Sequence, residues 1–289
     1  MVEIGLKGQE IRTIQLLFKG PCTVSELATQ LGISRSWCSR GISHLTRLGF
    51  VEPERKLRRS RVRLSHGTVG NSLLTLLGED PMLDIVAVLS GRGLTLLPYL
   101  IPPGSTVDKI VSRSGLSART VRPYLKRWRA QGIVQVKKRV YFLLGLHPYL
   151  IQFVQKFDEE RIARVVKELA PDANILWSDK GECLFSSERP VGKVLLTMAG
   201  PSALAERGED IIYSHRYFLY SPLKRKVSKE EALVQSLVID RVEPRIKRLI
   251  IEYLKDRHAN RKRLESFSRE YGIEKLLMEV LGSVCEKSP

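Results

Sequence analysis

One stretch of the chain, Thr23–Val51, restricts the possible folds more than any other part. Thr23 and Glu26 form a capping box, which predicts the start of a helix. Gly32 stands where the chain must turn with a positive φ, which costs glycine little, and Ser34 is placed to cap a second helix. The first of these helices has one apolar face, made of Val24, Leu27, Ala28 and Leu31. The stretch therefore predicts two helices joined by a tight turn.

The second helix of this stretch has two chemically different faces. Its inner stripe follows helical spacing and consists of Cys38, Ile42, Leu45 and Leu48. Its outer face carries arginine and serine, at Arg35, Ser36, Ser39, Arg40, Ser43 and Arg47. Gly49 ends the helix in the manner of a C′ glycine. Because arginine pairs with guanine edges and serine with bases or phosphates, the first five outer residues are predicted to bind DNA.

Residues 50–65 have the pattern of two short strands around a basic loop, which is the wing of a winged helix. Arg58, Arg59 and Arg61 are predicted to contact phosphate or the minor groove. The region from Gly8 to Gly70 resembles the MarR family of winged-helix regulators. The matching residues are Leu31–Ser34, Ser39, Arg40, Leu45, Gly49–Val51, Arg58, Arg59, Val62, Leu64, Ser65 and Gly67.

The resemblance implies a winged-helix regulator of transcription. It departs from the family at Leu57, near the position where an acidic residue usually precedes the wing arginines. That departure puts the internal ion pair of the wing in doubt, but not the fold.

The same pattern returns, without gaps, 83 residues further along the chain. Thr23 becomes Thr106, Gly32 becomes Gly115 and Ser34 becomes Ser117, and apolar positions follow the same offset. These matches fall at caps, turns and core positions, where a fold restricts residue choice most. We therefore predict a second winged helix from about Asp80 to Gly145.

The second predicted recognition helix, Ser117–Gln131, is more basic than the first. Its outer face steps by three and four residues through Arg119, Arg122, Lys126 and Arg129, opposite Val121, Leu125 and Trp128. Arg119, Arg122 and Lys126 are predicted to read DNA bases, and a short basic wing at Lys137, Lys138 and Arg139 is predicted to contact phosphate or the minor groove. Pro123 lies past the first turn and should clash with the carbonyl of Arg119, so the helix either kinks there or begins after Ser117.

Positive charge is concentrated in these two regions. Residues 1–72 carry 12 Lys+Arg and 5 acids, a net +7, and residues 73–145 carry 11 and 4, again +7. The remaining residues carry 25 and 22, a net +3, so +14 of the total +17 lies in the first half. A basic half joined to a nearly neutral half indicates a part that binds double-stranded DNA and a part that binds a partner or ligand.

The rest of the chain completes the domain prediction. Residues 67–78 have the composition of a linker, and residues 146–170 predict a long helix that either contacts a second copy in a homodimer or packs within its own chain. From residue 171, strand patterns give way to helices only. The predicted fold is mainly α: two tandem winged helix-turn-helix domains (1–70 and 80–145), a connecting helix (146–170) and a mixed α+β domain with a helical tail (171–289).

The last of these domains, residues 171–289, has a weak resemblance to the C-terminal domain of AbiE-type antitoxin regulators. The likeness rests on Gly200–Leu204 before a helix and on Ser228–Val234. It implies a domain that acts beside a nucleotidyltransferase partner. The predicted role of this part is dimerisation or the binding of a small-molecule or protein effector.

No enzyme motif is found in the sequence. It has no P-loop, no GxGxxG, no HExxH, no GxSxG and no histidine pair with metal-ligand spacing. We therefore predict no catalytic residue, no metal site and no cofactor. Four scattered cysteines, no apolar leader and no long apolar run favour a cytoplasmic protein without a membrane segment, and sparse asparagine hints at a heat-loving, archaeal or other thermophilic, source.

The predicted function is a DNA-binding transcription regulator. Two alternatives remain open at this point. The winged helices can serve protein assembly, as in scaffold or chromosome-organising proteins, or the C-terminal domain can sense a small nucleotide.

Overall fold

The computed structural model divides the chain into two units, residues 1–161 and 162–289. The structure describes residues 5–56, 59–189, 191, 195–211, 213, 215–241, 244–255 and 260–285, without the side chains of residues 55, 56, 59, 255 and 283–285. Unit 1 is largely helical with two small hairpins. Unit 2 combines a sheet with helices.

The elements of unit 1 follow the order expected for helix-turn-helix segments with hairpins. Its helices are α1 Gly8–Phe18, α2 Val24–Leu31, α3 Arg35–Arg47, α4 Thr68–Glu79, α5 Ile85–Leu89, α6 Gly93–Leu96, α7 Val107–Ser114, α8 Ala118–Ala130 and α9 Pro148–Leu169, which continues into unit 2. A 3-10 helix spans Leu97–Leu100. Two antiparallel hairpins pair β1 Val51–Lys56 with β2 Arg59–Leu64, and β3 Val134–Lys137 with β4 Val140–Leu143.

The turn between α2 and α3 forms for the local reasons that the sequence indicates. The Thr23 hydroxyl accepts the Glu26 N–H at 3.2 Å, and the Ser34 hydroxyl accepts the Trp37 N–H at 3.3 Å. Gly32 adopts a φ of 65° and ends α2 in the left-handed region. We call the segment from α2 to β2 the first module.

The segment from α7 to β4, which we call the second module, repeats these features. Thr106 and Ser117 cap α7 and α8, and Gly115 has a φ of 72°. The bounds of α2, α3 and the start of β1 recur in α7, α8 and β3 with the same offset of 83 residues. Helix α8 begins directly after Ser117 and continues through Pro123, so a later start of this helix is excluded.

The two modules share one hydrophobic core, which extends from Leu6 to Phe157. The indole of Trp128 is fully buried and donates from Nε1 to the Ala87 carbonyl at 3.3 Å. On the other side, the rings of Phe50 and Phe157 stack with centroids 5.4 Å apart. Unit 1 therefore includes the first part of α9 and has no separate core for each module among the residues described.

One part of unit 1 differs from the sequence prediction. Residues 67–78, predicted as a linker, form most of α4, in which Val69, Leu73 and Leu76 are buried. The short helix α5 then begins at Ile85, where the Asp84 side chain accepts the Ala87 N–H at 3.0 Å.

The long helix α9 buries its apolar stripe within its own chain. Leu150, Val154 and Phe157 are buried in the core of unit 1, and Ile162 and Val166 are buried in unit 2. Of the two roles predicted for this helix, the structure supports packing within the chain. A homodimer contact through this stripe is not supported.

Unit 2 contains a four-stranded antiparallel sheet in the order β5-β6-β8-β7. Its strands are β5 Asn174–Asp179, β6 Glu182–Ser187, β7 Leu196–Met198 and β8 Arg216–Tyr220. Its helices are α10 Gly200–Ala205, α11 Lys229–Ile239, α12 Pro244–Lys255, α13 Arg261–Glu270 and α14 Glu274–Cys285. These elements agree with the strand patterns, followed by helices, that the sequence predicts from residue 171.

A buried polar network connects β6 to α11 and α13–α14 in unit 2. Arg225 donates to Glu182 at 2.7 and 2.9 Å and to Glu231 at 2.7 and 2.8 Å. The Tyr271 hydroxyl donates to Glu231 at 2.9 Å and accepts from Gln235 at 2.7 Å. At the start of α11, Ser228 caps the helix, whereas the Glu231 carboxylate points inward to Arg225 and does not complete a capping box.

Candidate nucleic-acid interface

The outer face of α3 presents the side chains that its sequence pattern predicts. Arg35, Ser36, Ser39, Arg40 and Ser43 are all exposed, whereas Cys38 and Leu45 on the opposite face are buried. The Ser43 hydroxyl donates to the Ser39 carbonyl at 3.0 Å, which leaves its oxygen free to accept a further hydrogen bond. Within the described residues, no carboxylate lies at ion-pair distance from either arginine.

A buried carboxylate of α1, that of Glu10, contacts His44 of α3. One oxygen of Glu10 lies 2.8 Å from Nδ1 of His44, and the other accepts the Lys7 N–H at 2.7 Å. Glu10 is buried and His44 is half-buried. The contact therefore positions the recognition helix, and His44 belongs to the support of α3 and not to its outer face.

The first wing contains an internal ion pair, although Leu57 stands where the family usually has an acidic residue. Glu52 on β1 faces Arg63 on β2, with an N···O distance of 2.7 Å, and also accepts the Ser65 hydroxyl at 3.0 Å. Burial alone would raise the pKa of Glu52, but these hydrogen bonds lower it below its ordinary value. This pair across the two strands is a different one from the pair that the resemblance left in doubt, which concerns Leu57 and Arg58, outside the described residues.

The structure describes the side chain of only one of the three predicted wing arginines. Arg61 is exposed on β2. The backbone of Arg59 lies in β2, but its side chain is not described, and Arg58 lies outside the described residues.

A groove of about 400 Å³ lies between α3 and the first hairpin. We call it the first groove; its lining residues are Ile42, Ser43, Thr46, Arg47, Pro53 and Val62. Three of these six residues are apolar. Pro53 could not have been selected from the sequence, because it comes from a strand that meets α3 through tertiary packing.

The outer face of α8 is exposed and cationic. Arg119, Arg122, Lys126 and Arg129 are exposed, opposite the buried Val121, Leu125 and Trp128. Pro123 also lies on the exposed side. No carboxylate in the described part of the chain pairs with any of these four cations.

A second groove lies between α8 and the second hairpin, at the place that corresponds to the first groove. It measures about 850 Å³ and is lined by Arg119, Arg122, Pro123, Leu125, Lys126, Arg129 and Tyr141. Tyr141 was not predicted, because it lies on β4, whereas Arg129 continues the spacing of the predicted residues. Among the described lining residues there is no acid, and their polar side chains offer donors only, apart from the Tyr141 hydroxyl.

The tip of the second hairpin has an unusual backbone. Lys137 pairs with Val140, which leaves a two-residue turn, and Lys138 and Arg139 have φ values of 49° and 66°. Turns of this type favour Asn-Gly, because both central residues need positive φ. The chain instead places two exposed cations there, at a cost of about 1–2 kcal/mol per residue in the left-handed region. Conformational strain at an exposed basic tip suggests that the charges are needed for binding.

We expect the double substitution Lys138→Asn with Arg139→Gly to stabilise the fold and to weaken DNA binding. It relieves the left-handed strain and should raise the free energy of unfolding by about 1–2 kcal/mol. It also removes two cations and should lower the salt slope of duplex binding by about 1.8. Thermal unfolding and fluorescence anisotropy with a labelled duplex measure the two effects.

The matched control is Lys137→Ala, which removes one exposed cation from the end of β3 and leaves the turn backbone unchanged. The control should weaken binding without raising stability. Lower stability in the double variant would contradict the assignment of strain to this turn.

Comparison with known proteins gives one match, which lies in unit 1. Residues 11–52 match the family model described as "Bacterial regulatory protein, arsR family", a helix-turn-helix domain. The match covers α2, α3 and most of α1. No curated protein matches the chain. In the part of the chain that the structure describes, no helix combines the length and apolar character needed to cross a membrane.

The matched segment is thus a helix-turn-helix of winged-helix transcription regulators, which indicates a regulator that binds DNA. The family found is arsR. The resemblances to the MarR family and to AbiE-type regulators are not confirmed by this comparison and stay predictions.

Proposed function

We propose that this protein is a transcription regulator that binds double-stranded DNA through two winged helices in one rigid unit. The first is the arsR-type domain extended by β1 and β2. The second is the module from α7 to β4. The observation that carries the proposal is the recurrence of one geometry, a helix face and a hairpin enclosing a groove, in both modules.

The correspondence between the grooves supports the second winged helix. With the offset of 83 residues, Ile42 of the first groove matches Leu125 of the second, and Ser43 matches Lys126. Agreement in caps, helix bounds and groove positions is unlikely in unrelated folds, because each depends on different residues.

Charge supports DNA as the ligand of these surfaces. The first 145 residues carry +14 of the net +17, and their helix faces hold exposed arginine and lysine opposite a buried core. A surface of this kind attracts a polyanion and releases counterions when it binds.

Unit 2 has a different role in this proposal. It binds an effector or a protein partner, and it provides any dimer contact, because the apolar stripe of α9 is used within the chain. We propose no catalytic activity for it, and a cytoplasmic location for the whole protein.

Binding of the protein to duplex DNA should weaken steeply with salt. The logarithm of the binding constant should fall with the logarithm of salt concentration, with a slope of about 0.9 per phosphate neutralised. Six phosphate contacts would reduce affinity roughly 10³-fold between about 50 and 200 mM salt. Fluorescence anisotropy of a labelled duplex measures the slope.

The paired charge reversal Arg119→Glu with Arg122→Glu is the companion variant. Both side chains are exposed, so the fold should be retained. We expect its duplex affinity to fall at least tenfold at low salt. A wild-type protein with no salt dependence, or a charge reversal without effect on affinity, would instead favour the role in protein assembly.

A further inference from the structure

At matched positions of α3 and α8, the two modules carry side chains of different chemistry. Positions 39, 43 and 46 of α3 hold Ser39, Ser43 and Thr46. The corresponding positions of α8 are cationic: Arg122, Lys126 and Arg129. All six residues are exposed. Three hydroxyls in one module thus correspond to three cations in the other.

The face of α3 can distinguish base pairs. A hydroxyl both donates and accepts, so it can match several patterns of donors and acceptors on base edges. Arg35 and Arg40 add donors that suit guanine, and the first groove offers Ile42, Pro53 and Val62 as apolar surface for a thymine methyl group. This combination of donors, acceptors and apolar contacts responds to sequence.

The face of α8 cannot distinguish base pairs in the same way. Lysine and arginine have donors but no acceptors, so among base edges they suit guanine best. Four such side chains between positions 119 and 129 would need several guanines in register, whereas a phosphate is present at every nucleotide. Among the described residues, no carboxylate pairs with these cations, so the cations repel one another. A bound polyanion would relieve that repulsion.

The volume, lining and neighbouring cations of the second groove suit a sugar-phosphate strand. Its volume of about 850 Å³ is twice that of the first groove, at about 400 Å³. The groove lies between α8 and β4, whose Tyr141 contributes to the lining. The same hairpin carries three further exposed cations, Lys137, Lys138 and Arg139.

We propose that the second module is a sequence-independent clamp for the phosphate backbone, and that α3 of the first module supplies most of the sequence discrimination. This division of roles rests on the proposed function. It depends on the shared core of unit 1, which fixes the clamp relative to α3, so that backbone binding by one module positions the other on the bases.

The test compares two triple variants of the full chain. The clamp variant is Arg122→Ala, Lys126→Ala and Arg129→Ala, and the matched hydroxyl variant is Ser39→Ala, Ser43→Ala and Thr46→Ala. Each is titrated with a pool of random-sequence duplexes and with a duplex selected from that pool by the wild-type protein. Salt is varied in both titrations, and circular dichroism checks the fold.

We expect the clamp variant to lose about 2.7 from the salt slope, since each phosphate contact contributes about 0.9. Its affinity should fall by the same factor on both duplexes. The hydroxyl variant should keep the wild-type slope, because it removes no cation, and should lose at least tenfold of the preference for the selected duplex. A charge-retaining variant, Arg122→Lys with Arg129→Lys, should keep the slope.

Several results would overturn this division. They are an unchanged slope in the clamp variant, a clamp variant that loses only the preference for the selected duplex, or a charge-retaining variant that behaves like the alanine variant. The last two would assign base readout to α8. Failure of the wild-type protein to bind any duplex would instead reject the proposed function, so the two failures are distinguishable.

Discussion

Replacement of Arg225 by methionine should lower the free energy of unfolding of unit 2 by about 3–5 kcal/mol, because it removes the cation that bridges two buried carboxylates. Glu182 is 0% exposed and Glu231 is 2% exposed, and Arg225 is the cation that bridges them. Burial alone would lower the pKa of Arg225, but hydrogen bonds to both carboxylates raise it above its ordinary value. Denaturant unfolding followed by circular dichroism measures the loss.

The control is Lys226→Met, which removes a cation from the adjacent position. Unlike Arg225, Lys226 is exposed. It should change stability by less than about 0.5 kcal/mol, as is usual for surface substitutions. Adding Glu182→Gln and Glu231→Gln to Arg225→Met should recover at least half of the lost stability, because the two buried negative charges that Arg225 balanced are then removed. A loss no larger than that of the control would contradict this account of the network.

Truncation of Trp128 to alanine should destabilise unit 1 by about 3–5 kcal/mol, the usual cost of removing a buried aromatic side chain. Trp128 is fully buried, and its ring lies beside Tyr124 with centroids 5.4 Å apart. Its indole also donates to the Ala87 carbonyl. Because the core is continuous, the loss should extend beyond the second module.

Amide hydrogen exchange can show how far the effect of Trp128→Ala extends. Amides of α2 and α3 should lose protection together with those of α7 and α8. The milder variant Trp128→Phe keeps most of the packing and should shift both sets by a smaller, equal amount. Faster exchange confined to residues 80–145 would instead agree with the predicted domains 1–70 and 80–145 folding independently.

Local signals predicted the helices and turns of both modules with nearly correct bounds. Thr23, Ser34, Thr106 and Ser117 cap helices because a hydroxyl reaches a backbone N–H only three residues away. These interactions lie within one turn of the chain, so the residue pattern is sufficient to predict them. The exposed cationic and hydroxyl faces of α3 and α8 follow from the same helical spacing.

Prediction failed where tertiary packing decides. Residues 67–78 contain glycines that suggest a linker, yet they form most of α4, whose Val69, Leu73 and Leu76 are buried in the core that extends from Leu6 to Phe157. Glu231 has the position of a capping-box acid, but its carboxylate points to Arg225, which also binds Glu182 on β6, 43 residues away. The core contacts of α4 and the contact with Glu182 join segments that no single helical window contains.

The amino-acid pattern was enough to establish the helices, their caps and turns, and which side chains of α3 and α8 face outward. It did not reveal that the two modules share one core, that α9 buries its stripe within its own chain, or that Pro53 and Tyr141 complete the two grooves. The first group depends on hydrogen bonds and periodicity over three or four residues. The second depends on contacts between segments far apart in the chain, which exist only once the chain has packed.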